Sequence, residues 1–513
     1  MALRGNVERW AILVMVFAAV GGPVLAAPAY LDVQTRWETV RGVRGIRVDL
    51  KGDREPLVQP NGQRIVSKTP LETKVDLKPA PGGFDLLLTL RNGTDKPQPR
   101  PRVFLRGIRL GTKFTYLDAR DLGTLHQKQV EGGKPIFHHS MRYPDDLYAP
   151  VSTFFNDRFA VGMSLLYEPF KAQHGVRNII YTEGGQWFGT AALGIDLDGP
   201  PPKWLPQKGR LRVKPGETET FRFAVRFAKQ DRWRDTLEPY REHFRKTYGP
   251  VRYKADRRPV FGEPTGLVKF INLKTNPRGY HPKTRIDRVG WKPYIDHLMT
   301  AVEKGYRRVM VWCPSGLYSK GDNYAPEFMT EWLPKLVETA GEFDRLKGRK
   351  VTVGFWWGRS SQTSGGWNTG RMWATNLDNP KDVAAALAEL RLAAERGADE
   401  IGLDAFKYIP LWERYDWLQR LQREFPTMRF ITESADCDIM HTIAPTFMTY
   451  QRQSQAPALA DWLNPGHESW ILLRWQESNQ ENFDRVSGWG CVPVTMSIAV
   501  KHDASTFVKP AAK

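Results

Sequence analysis

The sequence predicts an N-terminal β-sandwich over residues 27–229 followed by a (β/α)8 TIM barrel over residues 259–505. Three observations carry this expectation. Apolar and polar residues alternate through the first part, and strand-like and helix-like segments take turns in the second. The length of 513 residues also exceeds what one hydrophobic core usually serves.

In the first part, "FDLLLTLRNGTDKP" alternates and then turns at Asn92-Gly93. "KPGETETFRFAVRFA" sets Phe221, Phe223, Val225 and Phe227 on one face. Period-two alternation with Gly/Pro punctuation and no long helix is the pattern of a sandwich. The period then changes. Trp233, Leu237, Tyr240, Phe244 and Tyr248 recur every three to four residues, so residues 230–258 read as a helical linker that stops at Gly249-Pro250. Pro239 is expected to kink or split this helix.

Eight strand candidates follow: "GLVKFINL", "RRVMVWCP", "KVTVGFWWG", "EIGLDAF", "RFITES", "TFMTYQ", "SWILLRW" and "CVPVTMSI". Helical patterns lie between several of them, as a barrel with crossovers requires. A doubly wound open sheet is the alternative, but no Gly-rich phosphate loop follows the first candidate. Residues 506–513 read as a tail.

At the N-terminus, Arg4 and Arg9 precede the apolar run "AILVMVFAAV" and then "GGPVLA". This is the pattern of a signal peptide over residues 1–26, with Val24 and Ala26 at the small-residue positions. A secreted or periplasmic protein is expected. No later stretch is apolar enough for a membrane span. The three cysteines, Cys313, Cys437 and Cys491, have no metal-ligand spacing and read as buried thiols. The net charge is +19, but the 75 Lys and Arg are scattered, which fits a diffuse basic surface and no nucleic-acid partner. No metal or cofactor motif stands out. His281, His138 and His139 lack ligand spacing, and His441 is a candidate to support the site from behind.

Barrel active sites lie at the C-terminal ends of the strands, which makes polar residues there informative. In "ADEIGLDAFKYIP", Asp404 sits among residues that read as a buried fourth strand, where an unpaired charge is costly. In "RFITESADCD", Glu433 is near the end of the fifth. Neighbouring strands lie about 4.8 Å apart, so the carboxylates can approach to ~5–6 Å, the separation used by retaining glycosidases. The competing reading makes them structural ions paired with Lys407 or Arg359. After the third strand, "WWGRSSQTSGGWNTGRMW" offers Trp356, Trp357, Trp367 and Trp373 to stack on sugar faces, with Arg359 to bond hydroxyls. Trp312 and Tyr318 extend this wall, Lys407 lies close by, and Arg474 and Glu477 follow the seventh strand as substrate contacts.

"ADEIGLDAFKYIP" resembles the fourth-strand nucleophile segment of the α-amylase superfamily, and "FITESAD" its fifth-strand acid segment. The sequence departs from amylases at Gly402, where they carry arginine, and in lacking their third-strand Asp-and-His segment. A β-sandwich ahead of the barrel is similar instead to the endo-α-N-acetylgalactosaminidase-type glycoside hydrolases and the wider α-galactosidase-like group. That resemblance implies Asp404 as nucleophile and Glu433 as acid/base. The α-galactosidase-like enzymes keep their acid on the sixth strand, and "TFMTYQRQ" has no carboxylate. The expected function is a secreted retaining glycoside hydrolase using two carboxylates on an α-linked oligo- or polysaccharide. A catalytically silent glycan-binding barrel is the alternative. A lyase or epimerase would need a metal or a Lys/Tyr base, for which only Lys407 offers itself.

Overall fold

The computed structural model describes residues 32–40, 43–51, 71–109, 113–131, 138–182, 190–197, 212–266, 268–272, 274–276, 279–312, 318–320, 323–325, 341–358, 360, 362–364, 372–448, 456–474 and 477–496. The expected signal peptide (1–26) and tail (506–513) lie outside them. Two compact units divide the chain, the first ending at Gly249 and the second starting at Pro250.

The first unit holds two sheets. The six-stranded one runs, in spatial order, Asp32–Val40, Val43–Lys51, Arg102–Arg109, Thr190–Asp196, Val176–Thr182 and His138–Tyr143. The seven-stranded one runs Leu71–Ala80, Gly83–Asn92, Thr218–Lys229, Phe159–Leu166, Val151–Phe155, Lys113–Arg120 and Thr124–Glu131. Pairing is antiparallel except between Val43–Lys51 and Arg102–Arg109. Alternation explains the strands: Phe84, Leu86, Leu88 and Leu90 are all buried, while the residues between them are half-exposed. Asn92 ends that strand buried, with its amide donating to the Val213 and Lys96 carbonyls at 2.9 and 2.8 Å. Its Oδ1 accepts from the Thr94 amide, which closes the turn expected there.

The segment read as a linker is a 3-10 stretch, Gln230–Leu237, followed by the helix Glu238–Tyr248. Pro239 stands in the first turn of that helix, where its missing N–H would have no partner anyway. Tyr240, Phe244 and Tyr248 are buried, and the helix belongs to the first unit as far as Gly249. No helix among the described residues is long and apolar enough to cross a membrane.

The second unit is a closed barrel of eight parallel strands. They are β1 (Val260–Pro264), β2 (Arg308–Trp312), β3 (Thr352–Trp357), β4 (Glu400–Leu403), β5 (Arg429–Glu433), β6 (Thr446–Met448), β7 (Ser469–Leu473) and β8 (Val492–Met496). Helices α1 (Lys292–Glu303), α2 (Gly341–Gly348), α3 (Pro380–Glu395), α4 (Leu411–Glu424), α5 (Ala458–Leu463) and α6 (Gln480–Gly488) accompany them. Seven strand candidates contain the observed strands; the first does not. "GLVKFINL" turns through a short 3-10 segment at Val268–Phe270, and β1 is the preceding "VFGEP". Glu263 and Pro264 hide that strand from an apolarity pattern. The fold accommodates them: Pro264 ends the strand, and buried Glu263 pairs with His297 on α1 at 2.9 Å.

The barrel interior is layered. At the N-terminal ends, Arg308, Glu400 and Glu468 form a buried ionic cluster joined by Arg429. Above it, Met310, Trp312, Trp356, Ile431, Phe447, Trp470 and Leu472 pack as an apolar core. Two glycines make room for the large rings. A methyl group on Gly262 would overlap the Trp312 indole, and one on Gly402 would overlap the Trp356 ring. That contact accounts for Gly402 in "EIGLDAF". Gly402→Ala is therefore expected to cost about 1–3 kcal/mol as an overpacked core position. A urea titration checks this, and an unchanged midpoint would show that Trp356 moves aside freely.

Candidate active site

Strand β4 pairs with β5 in the register Glu400↔Arg429, Gly402↔Ile431, Leu403↔Thr432. Side chains alternate along a strand, and Ile431 faces the barrel core, so Glu433 shares its inward side. Glu433 pairs with Phe447 of β6, another core residue, which puts it in the same row. Continuing the β4 register by one residue sets Asp404 opposite Glu433. The row above the apolar layer thus carries Glu433, and Asp404 follows directly on the end of β4.

Asp404 differs from the sequence expectation in one respect. It is not a charge inside an apolar strand: β4 ends at Leu403, and Asp404 is half-buried in the turn that follows. Backbone bonds hold it there. Its amide donates to the Trp357 carbonyl at 3.1 Å, and its carbonyl accepts from the Ser360 amide at 3.0 Å. The Ser360 hydroxyl donates to the same carbonyl at 2.7 Å. Ala405 then takes a left-handed conformation with φ of 56°. Its amide donates to Glu433 Oε2 at 3.1 Å. Glu433 is only 7% exposed, so this donor offsets part of the cost of a buried carboxylate.

The aromatic residues are placed differently from an open binding wall. Trp312, Trp356 and Trp357 are all buried, and the first two belong to the interior. The Trp312 and Trp356 rings lie 4.2 Å apart, and both pack on Phe447, at 5.4 and 4.9 Å. As a layer beneath Asp404 and Glu433 they form a floor rather than walls. Arg359 and Trp367 lie outside the described residues, as does Cys313. Trp373 and Tyr318 are described in their backbones alone, Trp373 on a short strand, Met372–Ala374, paired with Gln362–Ser364.

Lys407 sits half-buried in the 3-10 turn Phe406–Tyr408, just past Asp404. Arg474 and Glu477 form a tight turn after β7: the Glu477 carboxylate accepts from the Arg474 amide at 3.1 Å, and the Glu477 amide returns a bond of 2.6 Å. The Arg474 side chain is exposed. His441 does not support the site from behind. It is fully buried, and its Nε2 meets the Glu468 carbonyl at 3.0 Å, next to the ionic cluster at the opposite end of the strands. Burial, aided by His467, pushes its pKa well down. Cys437 and Cys491 are buried thiols, and burial raises the latter's pKa to about 12. Among the described residues no group of three or more His, Cys, Asp and Glu side chains is arranged to hold a metal ion.

Sequence reasoning missed Ser360 and a buried ion pair, Arg414 with Asp436, behind the two acids. Nothing in "LWERYDWLQ" separates Arg414 from a surface helix residue until the helix is packed.

No family model and no curated protein matches the sequence. Solved structures do. The galactosidase domain of the α-galactosidase-sucrose kinase AgaSK aligns with a TM-score of 0.52 at 10% identity, covering 93% of this chain and 70% of that one. The GH36 α-galactosidase AgaB of Geobacillus stearothermophilus aligns at 0.48 and 10% identity, over 82% of this chain and 63% of its own, less than two thirds. A variant of AgaA from the same organism, in complex with stachyose, aligns at 0.48 and 12% identity, over 96% and 75%. The class defined by the fold is an eight-stranded parallel barrel with an accompanying β region. Its likeness to the AgaSK galactosidase domain is one of fold.

Proposed function

We propose that this protein is a glycoside hydrolase acting on α-linked glycans, with Asp404 and Glu433 as its two carboxylates. The observation that carries the reading is buried Glu433 at the end of β5 accepting from the amide of Ala405, the residue next to Asp404 just past the end of β4. The fold shared with the AgaSK galactosidase domain supports it. In this reading the β unit is a sandwich and the substrate an oligosaccharide; the neighbour AgaA was crystallised with stachyose.

The mechanism is a double displacement. Asp404, half-buried past the end of β4, attacks the anomeric carbon while Glu433 gives its proton to the departing glycosidic oxygen. The glycosyl ester on Asp404 is then hydrolysed by a water that Glu433 deprotonates, which restores both groups. Lys407, Arg474 and Glu477, together with Arg359, Trp367 and Trp373, are the proposed substrate contacts.

Aryl α-galactosides are the first substrates to test, by analogy with the neighbours. Glu433→Gln is expected to slow poor leaving groups about 10²–10⁴-fold and activated ones far less, because only the former need a proton. Equal losses across a leaving-group series would remove Glu433 from the acid role. Export is proposed from the N-terminal pattern alone. Sequencing of secreted material should start at Ala27, and a cytosolic protein retaining Met1 would refute it.

A further inference from the structure

We infer that Arg414 is a positioning residue that locks the loop after Asp404 to the loop after Glu433; its catalytic consequence rests on the carboxylate reading above. Arg414 lies on α4 with its side chain 1% exposed. Nη1 donates to the carbonyls of Lys407 and Ile409, at 3.0 and 2.8 Å, both in the loop that leaves Asp404. Nη2 donates to Asp436 Oδ1 at 2.7 Å, in the loop that leaves Glu433. Asp436 is held in turn, since its amide donates to Thr446 Oγ1 on β6 at 2.7 Å and its Oδ1 accepts from the Cys437 amide at 2.8 Å. One planar guanidinium therefore spans both acid-bearing loops with three bonds. The single nitrogen of a lysine cannot reproduce that fork.

The lock matters because of what stands between the loops at the site. Ala405 is a non-glycine residue in a left-handed conformation, a state that persists only when its surroundings impose it. Its amide is thereby aimed at Glu433 Oε2. Arg414 grips the same loop two and four residues further on, at Lys407 and Ile409, so it holds Ala405 in place from behind. Charge-assisted bonds from a buried guanidinium are the strong kind, and a pair this buried is sensitive to loss of either partner.

The test uses the full chain with Arg414→Lys and Asp436→Asn, two conservative variants, the second nearly isosteric. Peptide-resolved hydrogen–deuterium exchange is followed across 404–410 and 433–438, together with kcat and KM on an aryl α-galactoside. In each folded variant, exchange in both loops should rise together by about tenfold or more, since local opening tracks the bonds that are lost, while β2, β3 and β7 keep their protection. Turnover should fall about 100-fold with little change in KM, the scale of a misplaced catalytic group. A residue that merely stabilises the barrel would instead raise exchange throughout and leave kcat per folded molecule unchanged. Both loops staying protected, or only one opening, overturns the lock. Asp404→Asn and Glu433→Gln are measured alongside. If these keep full turnover, the carboxylate reading fails while the exchange result still judges the lock. If they abolish turnover and Arg414→Lys retains it, the positioning role alone fails. Should the native chain turn over no glycoside, coupled opening of the two loops still decides whether Arg414 joins them.

Discussion

Asp404→Asn is expected to lower turnover by about 10⁴-fold or more, the scale of removing a covalent nucleophile, with the thermal midpoint nearly unchanged. The backbone explains the second half of this expectation. Asp404 is fixed by its own amide and carbonyl, through Trp357 and Ser360, and asparagine keeps both bonds. A charge buried in a strand would have made the variant more stable; Asp404 lies half-buried beyond β4, so little desolvation is relieved. A glycosyl fluoride that traps the covalent intermediate should label Asp404 in the native chain and leave the variant unlabelled. If Asp404 serves instead as an anchor for Lys407 or Arg359, the pattern inverts: the variant loses stability and keeps its activity per folded molecule. Measuring midpoint and turnover on one sample separates the two roles.

The largest stability effect is expected at the other end of the barrel. Arg308 Nε donates to both Glu400 oxygens at 3.0 and 2.9 Å, Nη2 reaches Glu400 at 2.5 Å and Glu468 at 3.1 Å, and Nη1 bonds the Asp256 carbonyl at 2.8 Å. The Trp470 ring lies 4.4 Å from the guanidinium. Burial alone would favour a neutral Arg308, but the charges of Glu400 and Glu468 outweigh it. Arg308→Met leaves buried Glu400 with only the longer Arg429 contact at 3.7 Å and takes one cationic partner from Glu468, and should cost about 3–5 kcal/mol. At roughly 2–4 °C per kcal/mol for a unit of this size, the midpoint should drop by about 6–20 °C. Loss of less than a degree would mean that the acids find water or protons at no cost.

A pH signature accompanies it. Burial tends to raise the pKa of Asp256, but the Arg258 hydrogen bond and the Arg308 charge prevail and hold it at about 2, below its ordinary 3.8. A carboxyl that is more acidic when folded stabilises the fold fully above its unfolded pKa, and that contribution is lost as pH falls through the folded value. Stability should therefore decline between about pH 4 and 2, and less steeply in Arg308→Met, where one source of the lowered pKa is gone. Urea midpoints across that range, native against variant, provide the check.

Much of this protein is legible in its sequence, for a definite reason. Strand and helix periods are local properties, so apolar spacing marks the seven barrel strands from β2 to β8 and the helices α1, α3 and α4. Chain order then sets neighbouring strands side by side, so the amino-acid pattern alone suggests that the ends of β4 and β5, and with them Asp404 and Glu433, are neighbours. Strand β1 escapes such a reading because Glu263 and Pro264 interrupt its apolar run, and its pairing with β2 and the closing strand β8 makes it a strand. Burial is not a local property. An indole in a Gly-rich stretch can line a groove or fill a core, and the Gly402 and Gly262 gaps that admit Trp356 and Trp312 exist only once β1 to β4 are side by side. Arg414 is likewise one charged residue of an amphipathic helix until α4 packs behind β5. The sequence by itself determined the order of elements and the chemistry available at the strand ends. Tertiary structure decided which aromatics became core, which ions were buried together at the far end, and which guanidinium joined the two acid-bearing loops, because each of these depends on atoms far apart along the chain meeting in space.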